Sequence, residues 1–218
     1  MKGRSAVLAF AFVVVASGQS FADTILYYTS TPGSWVGGGE TATVTPATNF
    51  GFDFVAQQNF DNGVSFFIDD FAHNPDFQST RWWFLDLAAP NSMTLAPGLY
   101  LGATRFPFQE PDEPGLSFGG NGRANNMQTG YFRVFEVQVD SSDVVMNFAA
   151  DFLQFDETQT VDYTWGSIRF NSSVPITETP VLQPVPEPSA AALVGLGIVL
   201  ILTRRRVAAR VQWFATTG

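Results

Sequence analysis

The stretch YFRVFEVQV at residues 131–139 alternates residue by residue between two sets of side chains. A period of two is that of a β-strand, in which successive side chains point to opposite faces of a sheet. Six of the nine residues are aromatic or β-branched, the types that are enriched in strands. One set consists of Tyr131, Arg133, Phe135, Val137 and Val139. The stretch therefore predicts a long β-strand.

Shorter runs of similar composition recur along the chain, separated by clusters of Gly, Pro, Asn and Asp that favour turns. They lie at residues 24–29, 50–54, 63–68, 81–87, 99–106, 144–155 and 165–170. No window between residues 23 and 174 has the 3.6-residue period of a convincing amphipathic helix. Many short strands separated by turns predict an all-β fold, in which residues 23–174 form an antiparallel β-sandwich or a jelly-roll-like domain.

The composition argues against several classes of function. The chain has 218 residues, no cysteine and one histidine, so it has no disulfide or Cys-based zinc site, and we expect no cofactor and no metal. Its formal net charge is −9, and residues 23–180 carry five arginines against nineteen Asp and Glu, a formal charge of −14. We expect no nucleic-acid partner, because binding phosphates needs clustered Lys and Arg.

The N-terminus has the parts of a secretory signal peptide in the right order. A cationic start is followed by an apolar run at residues 5–16 and then by small residues at Ser20 and Ala22. Residues 1–22 are therefore predicted to be a signal helix that signal peptidase removes by cleavage between Ala22 and Asp23. A buried N-terminal helix is the alternative.

The C-terminus predicts a stalk, a membrane helix and a basic tail. Residues 175–188 hold five of the thirteen prolines, which favour an extended stalk. Residues 189–203 are uncharged and would form a single transmembrane helix in the lipid bilayer, although ~1.5 Å per residue gives only about 22 Å against a ~30 Å hydrocarbon core. The tail at 204–218 begins with the basic cluster Arg204, Arg205 and Arg206, which should stay in the cytoplasm and leave the β domain outside. A plain single-pass anchor and a buried core helix are the alternatives.

The triplet Pro186-Glu187-Pro188, the short apolar segment and the arginine cluster together resemble the PEP-CTERM sorting signal, over about residues 185–206. The resemblance implies that an exosortase, a multi-pass membrane enzyme, recognises the chain and cleaves it near the triplet. It also implies a Gram-negative envelope, often with exopolysaccharide. The β domain would be held in the periplasm by an inner-membrane helix and then reach the cell surface or the extracellular matrix. Residues 207–218 depart from the pattern, because such signals usually stop soon after the arginines.

Four internal segments resemble parts of a group of exported PEP-CTERM proteins with no assigned activity. They are residues 105–109, 122–123, 150–152 and 167–171. This resemblance places cysteines of the relatives where this chain has Asn125 and Asp156. If those cysteines pair, it implies that the two positions are neighbours here, within the ~7 Å between Cα atoms that a disulfide permits.

The candidate catalytic motifs each lack a required part. Residues 115–119 match the G-x-S-x-G pattern of a hydrolase nucleophile elbow around Ser117, but no histidine follows them and their flanks do not predict a strand, turn and helix. The one histidine, His73, lies in a turn-like segment without a nucleophile or metal set nearby. Adjacent carboxylates are too numerous to identify a catalytic pair, which depends on a through-space separation. They are Asp69-Asp70, Asp112-Glu113 and Asp156-Glu157. We predict no catalytic residue and no enzymatic activity.

Trp82 and Trp83, together with Trp35, are candidates for an aromatic ligand platform. Neighbouring residues of a strand point to opposite faces, so we expect one of Trp82 and Trp83 in the core and the other facing outward. An outward ring beside convergent polar groups would favour recognition of a sugar, whereas burial of both rings would favour simple core packing.

Three functions follow from these patterns. The first is a non-enzymatic exported protein of the envelope or extracellular matrix, structural or adhesive and associated with exopolysaccharide. The second is a carbohydrate-binding, lectin-like module with its site at Trp82 or Trp83. The third is a secreted hydrolase that uses two carboxylates.

Overall fold

The computed structural model describes residues 22–46, 51–157 and 160–176. The predicted signal peptide up to residue 21, and the stalk, transmembrane helix and tail from residue 177 onward, lie outside these residues. Within the described part, no helix is long and apolar enough to cross a membrane. This part consists of ten β-strands and two single-turn 3-10 helices, and the all-β prediction is confirmed.

The strands follow one another along the chain with short connections. They are β1 (Asp23–Ser30), β2 (Thr41–Val44), β3 (Asp53–Gln58), β4 (Val64–Asp69), β5 (Trp82–Ala88), β6 (Gly98–Arg105), β7 (Gly115–Gly120), β8 (Gln128–Val139), β9 (Val145–Asp156) and β10 (Tyr163–Ser172). The 3-10 turns are Phe77–Ser79, between β4 and β5, and Pro90–Ser92, between β5 and β6.

All ten strands belong to one sheet, in the order β2-β1-β10-β9-β8-β6-β7-β5-β4-β3. Eight of its nine neighbouring pairs are antiparallel, and β6 and β7 are parallel, with Thr104 opposite Gly115. The prediction of an antiparallel sheet is wrong at this one pair. The segment 106–114 returns the chain to the end of β6, so β7 starts beside Thr104 and runs in the same direction, and the two strands pair over two residues.

The sheet curls so that its two halves face each other across a hydrophobic core, which makes the domain sandwich-like. Aromatic rings bridge the halves: Tyr28 lies 5.7 Å from Phe118, and Phe66 lies 5.3 Å from Phe148, centroid to centroid. Register shifts in β6 and β8 interrupt the ladder. Such bulges increase local twist and bend a strand, which helps a wide sheet to close over a core.

The strand β7 was not among the predicted strands, because its sequence GLSFGG has no clear alternation and contains three glycines. All six of its residues are buried. Two glutamine side chains from other strands bond to its backbone. Gln154 of β9 accepts from the Phe118 N–H at 2.7 Å and donates to the Phe118 carbonyl at 2.9 Å, and Gln128 of β8 donates to the Leu116 carbonyl. The Gln154 amide satisfies buried backbone groups that a neighbouring strand would otherwise satisfy, while the Leu116 carbonyl also accepts from the Phe106 N–H at 3.1 Å.

A buried arginine holds the residues that follow the last strand. Arg169 of β10 forms an ion pair with Asp151 of β9 at 3.0 Å, and both side chains are buried. Its guanidinium also donates to the carbonyls of Val174 and Pro175, at 2.9 and 2.8 Å. The start of the predicted stalk is therefore attached to the sheet by several charge-assisted hydrogen bonds, which are stronger than neutral ones.

Candidate functional site

The side of β3, β4 and β5 that faces away from the core, here called the outer face, carries two rows of side chains. The rows arise because the three strands pair in register and every second residue points outward. The apolar row consists of Val55, Phe67 and Phe84, and the polar row beside it consists of Gln57, Ser65 and Asp86. Three strands thus contribute one apolar and one polar group each to the same surface.

The two rows line a cavity of about 260 Å³ that is open to solvent. Phe67, which lines the cavity, is 40% exposed, so a ligand can reach the ring. Phe84 lies against Gly119 of the neighbouring β7, where an added Cβ would be 2.6 Å from the ring carbon Cζ. A glycine at this position therefore allows the Phe84 ring to lie close to the sheet and shapes that side of the cavity.

Asp86 is the one carboxylic acid among the cavity-lining residues, all of which belong to the described part of the chain. Its carboxyl accepts a hydrogen bond from the Ser65 hydroxyl. Burial raises the pKa of Asp86, and the Ser65 hydrogen bond opposes that shift only in part. The cavity thus combines an acceptor with an amide from Gln57 and two aromatic rings. Paired-carboxylate glycoside hydrolysis would need a second acid, which this lining does not supply.

Trp82 extends the aromatic surface beyond the apolar row. Its ring stacks on Phe67 and on Phe84, with centroid distances of 6.2 and 6.3 Å and interplanar angles of 24° and 23°. Trp83 points the other way and is 3% exposed, packed in the core against Tyr28 and Phe52. The alternation along β5 therefore places one tryptophan outward and one inward, as expected from their adjacent positions.

The motifs singled out as candidate catalytic sites are not brought together. Ser117 lies in the middle of β7 and is 6% exposed, so it is not on the strand-to-helix turn that a nucleophile elbow requires. His73 lies in the connection between β4 and β5, with its Nε2 3.1 Å from Asp53 Oδ1. Among the described residues there is no group of three or more His, Cys, Asp and Glu that could hold a metal ion.

A second cavity, of about 330 Å³, lies beside His73. Its most buried polar group, the Asp70 carboxylate, accepts from the Arg81 backbone N–H at 2.7 Å and lies 4.0 Å from the Arg81 Nε. Asn74 donates to the same carboxylate and to the Ser79 carbonyl. These groups bond to one another, so they order the connection between β4 and β5.

The expectation that Asn125 and Asp156 are neighbours is confirmed by the contact between their side chains. The Asn125 amide donates to the Asp156 carboxylate at 2.9 Å, and both side chains are buried. The same carboxylate accepts from the backbone N–H of Trp35, so the end of β9 is joined to two loops, the one between β1 and β2 and the one between β7 and β8. Trp35 itself is exposed and lies in the first of these loops.

No family model matches the chain, and neither a curated protein nor a solved structure is significantly similar to it. The site must therefore be interpreted from its own geometry. Sequence reasoning identified Trp82 but missed the polar row. The available signal was the alternation Trp82, Phe84, Asp86 along β5, which places an acid on the same face as two rings.

Proposed function

We propose that the chain is an exported cell-envelope protein whose β domain binds polysaccharide on the outer face. The proposal rests on the apolar row lying directly beside the polar row in an open cavity. A sugar ring has the matching character, since its axial C–H groups form an apolar face and its hydroxyls project from the edge. The rings of Phe67 and Phe84 would contact the apolar face, while Asp86 and Gln57 would bond to hydroxyls.

The two ends of the chain support the proposed export and membrane attachment. A signal helix at residues 1–22 would direct export, and a short transmembrane helix at 189–203 would hold the protein until an exosortase acts near Pro186-Glu187-Pro188. The domain boundaries are consistent with this organisation. Strand β1 begins at Asp23, so cleavage after Ala22 would leave it intact, and Asp23 lies opposite Ser172, near the start of the stalk.

Binding is tested by screening the full chain, purified in mild detergent, against an array of bacterial and plant polysaccharides. We expect binding to one class of glycan. The replacement Trp82→Ala or Phe84→Ala should weaken it roughly tenfold, because an aromatic contact contributes about 0.5–1.5 kcal/mol beyond its buried area. Phe108→Ala, which removes an exposed ring from the connection between β6 and β7, is the matched control and should leave binding unchanged. Equal loss in the control, or no binding to any glycan, would refute the proposal.

Processing is tested separately by mass spectrometry of the protein from its native envelope, with and without the exosortase. We expect an N-terminus at Asp23 in both samples. In the sample with the enzyme, we expect loss of the residues beyond the Pro-Glu-Pro triplet. An intact C-terminus in both samples would contradict the sorting proposal and leave polysaccharide binding unaffected.

A further inference from the structure

We propose that the outer face selects sugar units that carry a free ammonium group, as in de-N-acetylated amino-sugar polymers, over the same units in acetylated form and over acidic sugars. This inference rests on the proposed polysaccharide binding and names the ligand class of that same site. It is carried by the juxtaposition of the Asp86 carboxyl with the Phe67 and Phe84 rings in one cavity.

The charge of the cavity is the first reason. Its lining contains the Asp86 carboxyl and no Lys, Arg or His, within the part of the chain that the structure describes. The hydroxyl of Ser65 is a neutral donor and does not balance a negative charge. A carboxylate that is partly removed from water is stabilised by a nearby opposite charge, so a ligand ammonium group supplies what the lining lacks.

The aromatic rings are the second reason. The face of an aromatic ring is electronegative and attracts a cation within about 6 Å of its centroid. Phe67 and Phe84 occupy opposite positions on β4 and β5, and both line the cavity that holds the Asp86 carboxyl. An acetylated amine is neutral, so it gains neither the ring attraction nor the ionic contact.

The outer face offers a second acidic position to a longer polymer. Asp69 lies opposite Trp82 and Asp53, one row beyond the apolar row, and its carboxylate accepts from the Phe71 backbone N–H. It is four residues from Ser65 along β4, which corresponds to ~13 Å between the two positions. A polymer with repeated ammonium groups can contact both acids, whereas the formal charge of −14 on residues 23–180 repels polymers of acidic sugars.

The test compares three oligosaccharides of equal length on the full chain in detergent, by isothermal titration calorimetry at mildly acidic pH. The probes are a β-1,4-linked glucosamine oligomer, its fully N-acetylated counterpart and an oligomer of uronic acid. We expect the glucosamine oligomer to bind at least about tenfold more tightly than the acetylated one, and the uronate to bind least.

Two variants separate the ionic contact from the general charge of the domain. Asp86→Asn keeps the volume and the acceptor for Ser65, and it should reduce the preference for the glucosamine oligomer to about twofold or less while the acetylated oligomer still binds. Asp112→Asn removes one charge from an exposed loop away from the cavity and should leave the preference unchanged.

The outcomes distinguish polysaccharide binding from selectivity for ammonium groups. Equal affinity for the amine and the acetylated oligomers in the wild-type chain would overturn the inference and leave polysaccharide binding intact, and this comparison needs no variant. A preference that survives in Asp86→Asn would also overturn it. Failure of every glycan to bind would refute the proposed function, and the inference with it.

Discussion

The replacement Gln154→Leu tests whether a side chain stabilises the middle of β7, where the neighbouring strand β6 no longer pairs with it. Gln154 is fully buried, and its amide forms two hydrogen bonds, one with the N–H and one with the carbonyl of Phe118 in the middle of β7. Leucine has a similar size, so the change removes both hydrogen bonds and creates little empty space.

The expected loss of stability follows from the two backbone groups that remain. A buried donor or acceptor left without a partner costs about 1–3 kcal/mol, so two such groups give about 2–6 kcal/mol. Burial of a leucine in place of a polar amide offsets part of this loss, and we expect a net decrease of about 3 kcal/mol in the free energy of unfolding. That is a large fraction of the 5–15 kcal/mol of a typical domain.

The measurement is urea unfolding of the purified chain, followed by tryptophan fluorescence. With an m value of about 2 kcal/mol/M, a loss of 3 kcal/mol lowers the midpoint by about 1.5 M. Gln138→Leu is the matched control, because Gln138 is an exposed glutamine on the neighbouring strand β8. A change of less than about 0.5 kcal/mol for Gln154→Leu, or an equal change in the control, would show that these hydrogen bonds do not stabilise β7.

Three further predictions concern other polar groups that are buried or half-buried. Asp86→Asn should raise the free energy of unfolding at neutral pH. The pKa of Asp86 is raised in the folded state, so the wild type loses stability as pH rises from 3.8 through the folded-state pKa. Asparagine does not ionise, so the variant does not lose stability in this way. Arg169→Met should lower the free energy of unfolding by about 3–5 kcal/mol, because it removes the cation beside a buried carboxylate, and should expose the chain near Pro175 to limited proteolysis. The double replacement Asn125→Cys and Asp156→Cys should form a disulfide across 31 residues, with about 3–4 kcal/mol of loop-closure stabilisation in non-reducing thermal unfolding.

Each of these predictions has a result that would contradict it. For Asp86→Asn, the contradiction is a stability curve that falls with pH as steeply as that of the wild type. For Arg169→Met, it is an unchanged unfolding midpoint together with an unchanged proteolytic pattern, while Arg133→Met, a replacement at a less buried arginine, serves as the control. For the double cysteine variant, it is the presence of two free thiols after air oxidation of the folded chain.

Most strands could be predicted from the sequence because alternation is a local signal. The long strand β8 shows it over many residues and forms where the pattern placed it, whereas β9 was predicted from its strand-forming composition and the turn signals beside it. The strand β7 could not be predicted in this way, since both of its faces are buried and alternation disappears when neither face meets water. The glutamines that bond to its backbone also belong to other strands, and Gln154 lies 36 residues from Phe118 along the chain.

The candidate site shows the same division. Alternation along β5 indicates that Trp82, Phe84 and Asp86 share a face, and it places Trp83 on the other. It does not indicate that Ser65 lies beside Asp86, or that Gln57 completes the polar row. Those contacts depend on how β3, β4 and β5 pair, and a shift of one residue in that pairing would have placed every partner on the opposite face.

The amino-acid sequence alone was sufficient for the all-β class, for the acidic charge of the domain and for the way in which Trp82 and Trp83 diverge, because composition and periodicity are properties of consecutive residues. The tertiary structure decided which polar groups meet. Asp86 lines one cavity together with Ser65 and Gln57, which belong to two other strands. Asn125 forms a hydrogen bond with Asp156, 31 residues further along the chain. These contacts depend on strand order and register. Strand order and register are determined by the burial of the whole core, so no short segment of the chain contains that information.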